Sequence, residues 1–116
     1  MVAVWVAALV LGSVASGETK AAVGTQGDYH RVWHVVVFAA TVVVVGWCLA
    51  PVARAWQAAV AAFLLGMLCE LLQRLIYIPV VEWADVRDDA AGAAAGWLVL
   101  ALWRRWRVGQ PEAIAL

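Results

Sequence analysis

The sequence predicts an all-α protein: an integral membrane bundle of four transmembrane helices, N and C termini cytoplasmic, forming a single domain over 1–116. Three observations predict it. Hydrophobic residues make up 66% of the chain and charged residues 14%, where a soluble domain carries about a quarter charged. The mean hydropathy is +0.89, and apolar surface in that excess has to face something other than water. The apolar residues also fall into four runs separated by polar or proline-bearing segments, the pattern of successive membrane crossings. The formal net charge is +0, so the basic stripe that nucleic-acid binding needs is missing. The expected partner is the lipid bilayer, and no nucleic acid.

The first run, Val2 to Ala15, predicts a helix over about 2–16, stopped by the polar, glycine-containing stretch Ser16 to Gly27. A cleaved signal peptide is the competing reading, with Ala15-Ser16-Gly17 as its cleavage site. No Lys or Arg precedes the run, so a retained helix is favoured. The second run predicts a helix over about 30–53, interrupted by Gly46 and by Pro51 near its end. From His34 onward it is long enough, at about 1.5 Å per residue, to cross roughly 30 Å of hydrocarbon. Its Val42-Val43-Val44-Val45 segment would suit a strand in water, but a lone strand in lipid leaves its backbone groups without partners, so a helix is expected.

The third helix is predicted over about 55–78, closed by Pro79 and carrying Glu70, Gln73 and Arg74. The segment Val80 to Asp89 is the most acidic in the chain, with Glu82, Asp85, Asp88 and Asp89 against Arg87. It runs into a fourth helix over about 86–106, which stops at Arg104-Arg105-Trp106-Arg107. The tail 107–116 is expected to fray. Cys48 and Cys69 fall in apolar runs at different depths and read as two small buried hydrophobes with no disulfide between them.

Arg104, Arg105 and Arg107 follow the last helix, and Arg54 sits in the short turn between the second and third. An even number of crossings puts both places on one side, and the positive-inside rule makes that side cytoplasmic. Lys20 and Arg31 are diluted in a longer loop beside Glu18 and Asp28. The acidic connector then faces outward. Trp33 and Trp83 fall at the outer boundary, and Trp56, Trp103 and Trp106 at the inner one, as an aromatic belt requires.

Polar residues repeat at helical spacing on three of the helices. His30, His34 and Phe38 share a face of the second; Glu70, Gln73 and Tyr77 share one of the third; Asp85, Asp89, Gly92 and Gly96 share one of the fourth. Glu70 lies roughly 9–13 Å below the outer end of its helix at about 1.5 Å per residue. An acid buried that deep has to point into the bundle and find a partner. His34, Arg74 and Arg31 are the candidates, with Gln73 as a hydrogen-bonding neighbour. Asp85 and Asp89 also suit a helix start, where carboxylates meet free N–H groups. Gly92-x-x-x-Gly96 reads as a close-packing face that lets the fourth helix approach the third and brings Asp89 toward Glu70.

These stripes, in this order, resemble the VanZ-like family of small prokaryotic membrane proteins. That family's pattern has an Asp-Lys-x-x-His helix start, then Glu-x-x-Gln, then Asp-x-x-x-Asn-x-x-Gly-x-x-x-Gly. His34 matches the histidine, Glu70 and Gln73 the pair, and Asp85, Gly92 and Gly96 the last element, over about residues 28–100. His30-Arg31 stand where Asp-Lys is expected, Phe38 where a Tyr is common, and Asp89 in place of the Asn. The Arg usual in the third connector is missing there, with Arg74 or Arg87 to supply that charge from elsewhere. The resemblance implies a multi-pass plasma-membrane protein, linked in some members to reduced susceptibility to teicoplanin, with no established reaction.

The leading expectation is a non-enzymatic membrane factor that alters the cell envelope, or the access of a lipid-linked or glycopeptide ligand, at the outer leaflet. Its outward-facing polar pocket would be built from His34, Glu70, Gln73, Asp85 and Asp89, supported by His30, Arg31 and Arg74. This reading needs no cofactor and no metal. The alternative is an intramembrane hydrolase or metal-dependent enzyme acting on a lipid-linked substrate. There, His30 and His34 would be metal ligands one turn apart, with Glu70 or Asp89 completing a zinc site, or Glu70 and His34 would do acid/base work. No serine lies beyond residue 16 to act as nucleophile. An ion pathway ranks last, because the inner halves of the second and fourth helices offer almost no polar groups. Four thin, alanine-rich helices also leave room for two copies to pair through the small-residue face as a homo-oligomer.

Overall fold

A computed structural model describes residues 1–24, 29–49, 54–77 and 83–108, and among them every element is helical. The order is α1 (Val2–Ser13), α2 (Gly17–Ala22), α3 (His30–Cys48), α4 (Ala55–Ile76) and α5 (Trp83–Val108). The inner end of the expected second helix (50–53), the connector residues 78–82 with Pro79 and Glu82, and the tail from 109 onward lie outside the described residues, as does Asp28.

Local chemistry sets the helix ends. Gly12 and Ser13 close α1, where the Ser13 hydroxyl donates to the Val10 carbonyl at 2.8 Å in competition with the next backbone turn. The chain then restarts as α2 because Ser16 is an N-cap: its hydroxyl accepts from the Thr19 amide at 3.3 Å, and Glu18 occupies the first turn. The polar composition of this stretch predicts a connector only, and the structure adds this short helix. Lys20 folds back from α2 and donates to the Ser13 carbonyl at 2.7 Å, satisfying one of the orphan acceptors at the end of α1. At the head of α4 the Gln57 side chain accepts from the Arg54 amide at 2.7 Å. Helix α5 starts at Trp83, ahead of the expected 86, so Asp85 lies inside its first turn.

Helices α3 and α5 run in the same direction, side by side. Going down the pair, Asp85 meets His30, Gly92 meets Val35, Gly96 meets Ala39, and Arg104 meets Gly46. Helix α4 runs the other way, with Gly66 level with Phe38 and Asp89, and Ala58 level with Gly46. Helix α1 lies against α3 and α4, held by Trp5 Nε1 donating to Thr41 Oγ1 at 3.0 Å. Trp5→Phe should remove that bond at a cost of about 1 kcal/mol. Equilibrium unfolding in detergent micelles measures it, and an unchanged midpoint would mean α1 is not anchored there.

The core is thin and built of small residues: Phe38, Val42, Val45, Ala58, Ala62, Ala93 and Leu100. The glycines explain its thinness. A Cβ at Gly92 would lie 2.5 Å from the Val35 carbonyl oxygen, and one at Gly96 2.5 Å from the Ala39 carbonyl oxygen. Both therefore face α3, and not α4 as the sequence led one to expect. The glycine on α4 that makes room for Asp89 is Gly66, where a Cβ would come 2.5 Å from Asp89 Oδ2.

Polarity is distributed inside out. Among the described residues the buried side chains include Thr41, Glu70, Asp85, Asp88 and Asp89, whereas Val36, Leu64, Leu75, Leu98 and Val99 are exposed. Helices α3 and α4 are long and apolar enough to cross a membrane, and only 28% and 22% of their apolar windows are buried within the chain. A core helix of a soluble protein would be mostly buried. Helix α1, with 12 residues, extends about 18 Å at 1.5 Å per residue, less than the roughly 30 Å of a hydrocarbon core.

Arg54, at the head of α4, and Arg104 and Arg107, at the foot of α5, share one end of the bundle. There Arg104 donates to the Gly46 carbonyl at 2.7 Å and the Arg107 guanidinium sits 4.6 Å from the centre of the Trp103 ring, itself stacked on Trp47. Cys48 is half-buried toward this end and Cys69 is buried in α4, both as free thiols.

Candidate functional site

The opposite end carries the polar cluster. Because α3 and α5 are parallel and each repeats its polar residues every third or fourth position, the two stripes face each other rung by rung. His30 Nε2 lies 3.1 Å from Asp85 Oδ2, and His34 Nδ1 lies 2.6 Å from Asp89 Oδ1. Between them Arg31 donates through Nε to Asp88 Oδ2 at 2.8 Å and through Nη2 to Oδ1 at 3.2 Å. Arg87 adds donors to the same carboxylate at 3.3 Å. The rungs cross-connect, for His34 Nε2 is also 3.6 Å from Asp85 Oδ2. The rings of His30 and His34 meet edge to face at 4.6 Å, and His34 stacks over the buried Phe38.

The three carboxylates are almost wholly withdrawn from solvent, with Asp85, Asp88 and Asp89 at 4%, 5% and 2% exposure. Ionised acids tolerate that only with partners. Among the described residues no buried side-chain nitrogen or oxygen lacks a hydrogen-bond partner.

Beside the ladder is a cavity of about 390 Å³ between α1, α2, α3 and α4. Its walls are mostly apolar, from Ala8, Leu9, Val37 and Phe38, and its polar lining includes Lys20, His30, His34, Glu70, Gln73 and Asp89. Glu70 is 4% exposed. This volume falls within the usual range for small-molecule sites, as does the mix of apolar wall and a few convergent polar groups.

Of the residues singled out from the sequence, His30, His34, Glu70, Gln73 and Asp89 line this one cavity. Asp85 is set behind it, in contact with both histidines. Gly92 and Gly96 lie below, between α5 and α3. The cations expected beside Glu70 are placed differently. Arg31 is engaged by Asp88, and Arg74 is exposed on α4 outside the cavity lining. The sequence reading missed Lys20 and Cys69 as lining residues, and Asp88 as the partner of Arg31. Asp88 lies three residues past Asp85, spacing that already put it near the same face. Lys20 depends on the α2 restart, whose signal was Ser16 followed by Glu18 and Thr19.

Chemically, the site can hold a cation or a proton between imidazole and carboxylate, and offers hydrogen bonds to a polar group entering an otherwise apolar hollow. Comparison of the chain with protein-family models, with curated proteins and with solved structures gives no match. The likeness to the VanZ-like pattern therefore rests on the residues quoted for it.

Proposed function

We propose that this chain is a multi-pass, VanZ-like protein of the plasma membrane. In this reading its helices form a four-helix membrane bundle, with the His-Asp ladder beneath the outer headgroups and Arg54, Arg104 and Arg107 at the cytoplasmic end. What supports a bilayer as solvent is the inverted polarity, acids inside and Val, Leu and Trp outside. What supports the sidedness is that Arg54, Arg104 and Arg107 share an end that holds none of the described acids, whereas Arg31 and Arg87 at the other end are paired with Asp88. Helix α1, too short to cross on its own, lies along α3 and α4 and walls the cavity.

The function that fits is non-enzymatic: the cavity admits an amphipathic, lipid-linked or glycopeptide ligand at the outer leaflet and so modulates the envelope and glycopeptide susceptibility. The single observation that carries this is a mostly apolar hollow whose lining includes His34, Glu70 and Asp89. A second copy of the chain could pair with the first in the membrane, but through a face other than Gly92 and Gly96, which α3 already covers.

A susceptibility screen against envelope-active compounds tests it, comparing a deletion strain with strains complemented by wild type, Glu70→Ala or Asp85→Ala. Both variants are expected to fall back to the susceptibility of the deletion strain while their membrane levels stay normal. Wild-type behaviour in both would remove the cavity from the account.

A further inference from the structure

We infer that His30, His34 and Asp85 form a binding site for a single zinc ion, with Asp89 as the residue that orients His34. One donor atom from each of the three lies within 4.8 Å of the others. For zinc bound at 2.0–2.1 Å, the ligand atoms of a tetrahedron are about 3.3–3.4 Å apart. The observed separations from Asp85 Oδ2, 3.1 Å to His30 Nε2 and 3.6 Å to His34 Nε2, bracket that edge. The two imidazole nitrogens lie within 4.8 Å of each other, so closing the set around an ion draws them together by up to about 1.4 Å, a motion that side-chain rotation supplies.

A second observation points the same way. The short contact of His34 Nδ1 with Asp89 Oδ1, 2.6 Å, places a proton on that nitrogen. In the neutral imidazole the other nitrogen, Nε2, then carries a lone pair, and it faces the carboxylate oxygen of Asp85. Between those two atoms either a second proton on the ring or a metal ion satisfies the contact, and His30 Nε2, 3.1 Å from the same oxygen, supplies the further donor that a metal needs. A carboxylate behind the distal ring nitrogen is also the usual support of a metal-ligating histidine. Two imidazoles and one carboxylate suit zinc, whereas magnesium and calcium take oxygen donors.

The third ligand is thus Asp85, not the Glu70 or Asp89 that the sequence offered for such a site. Three protein ligands leave a fourth position open, and since His30 and His34 both line the cavity, the ion borders it. This assignment stands on the ladder geometry and is independent of what enters the cavity, so zinc binding and the susceptibility phenotype can fail separately.

The test uses the full chain purified in detergent, stripped with a chelator and titrated with Zn²⁺ alone, with Co²⁺ as a spectroscopic substitute. The expected result is one ion per chain and a visible Co²⁺ spectrum of tetrahedral type. His30→Ala, at a half-exposed position, should abolish both while circular dichroism shows the helices intact. Asp89→Asn should bind the ion about 10- to 100-fold more weakly. Asp88→Asn, at the neighbouring rung that holds Arg31, should bind as wild type. Wild-type protein without stoichiometric zinc, or binding unchanged in a folded His30→Ala chain, overturns the assignment. Equal loss in Asp88→Asn would do the same, because it would make the metal a nonspecific counter-ion of the acidic end.

Discussion

Asp89→Ala is expected to destabilise the bundle by about 3–5 kcal/mol, the usual penalty for removing one member of a buried pair. Asp89 is 2% exposed, and its contact with His34 Nδ1 is 2.6 Å. Alanine leaves the imidazole nitrogen with no acceptor and opens a void against Gly66, where Asp89 Oδ2 now sits. Asp89→Asn keeps a carbonyl acceptor for the ring N–H and should lose only about 1 kcal/mol. Titration with dodecyl sulfate in mixed micelles, followed by circular dichroism, gives both numbers. A loss under about 1 kcal/mol for the alanine variant would show that the ladder is solvated and not a structural joint.

Gly96→Leu should be nearly as damaging, at least about 3 kcal/mol, the upper end of ordinary overpacking costs. The first added atom would already meet the Ala39 carbonyl oxygen at 2.5 Å and the Val42 Cβ at 2.8 Å. Neither can yield. One is helix backbone and the other belongs to a β-branched side chain, stiff at χ1, that is 0% exposed. Relief therefore requires α5 to move off α3, which would pull Asp85 and Asp89 from the two histidines. Ala94→Leu, on the exposed side of the same turn, is the control and should stay within about 0.5 kcal/mol. The same unfolding assay separates the two; equal effects would mean the α3–α5 contact is looser than the geometry implies.

These two experiments concern one joint, and it is the part of the molecule that the sequence left undecided. The azimuth of each polar stripe was legible because 3.6 residues per turn puts His30 with His34, Glu70 with Gln73, and Asp85 with Asp89 on common faces whatever surrounds the helix. The choice of partner was not legible, because spacing within one helix says nothing about which neighbour it meets. The pattern was compatible with Gly92 and Gly96 against α4 and with Arg31 or Arg74 beside Glu70. Instead the glycines admit the α3 backbone, Arg31 is taken by Asp88, and Arg74 remains exposed.

By itself the amino-acid order determined that the chain is helical, with α3 beginning at His30 and α4 at Ala55. Long apolar runs with few breakers leave the backbone no better way to satisfy its own N–H and C=O groups. It also determined that the described acids fall toward one end, with Arg54, Arg104, Arg105 and Arg107 at the other, since these charges flank the runs. Only the tertiary structure decided that α3 and α5 pack directly against each other, that α2 returns Lys20 over the cavity, and that Asp85 stands between two imidazole nitrogens. Those features depend on how closely two backbones can approach. That distance is set by pairs of residues some 55 positions apart, such as His34 and Asp89, or Ala39 and Gly96, and no local periodicity records it.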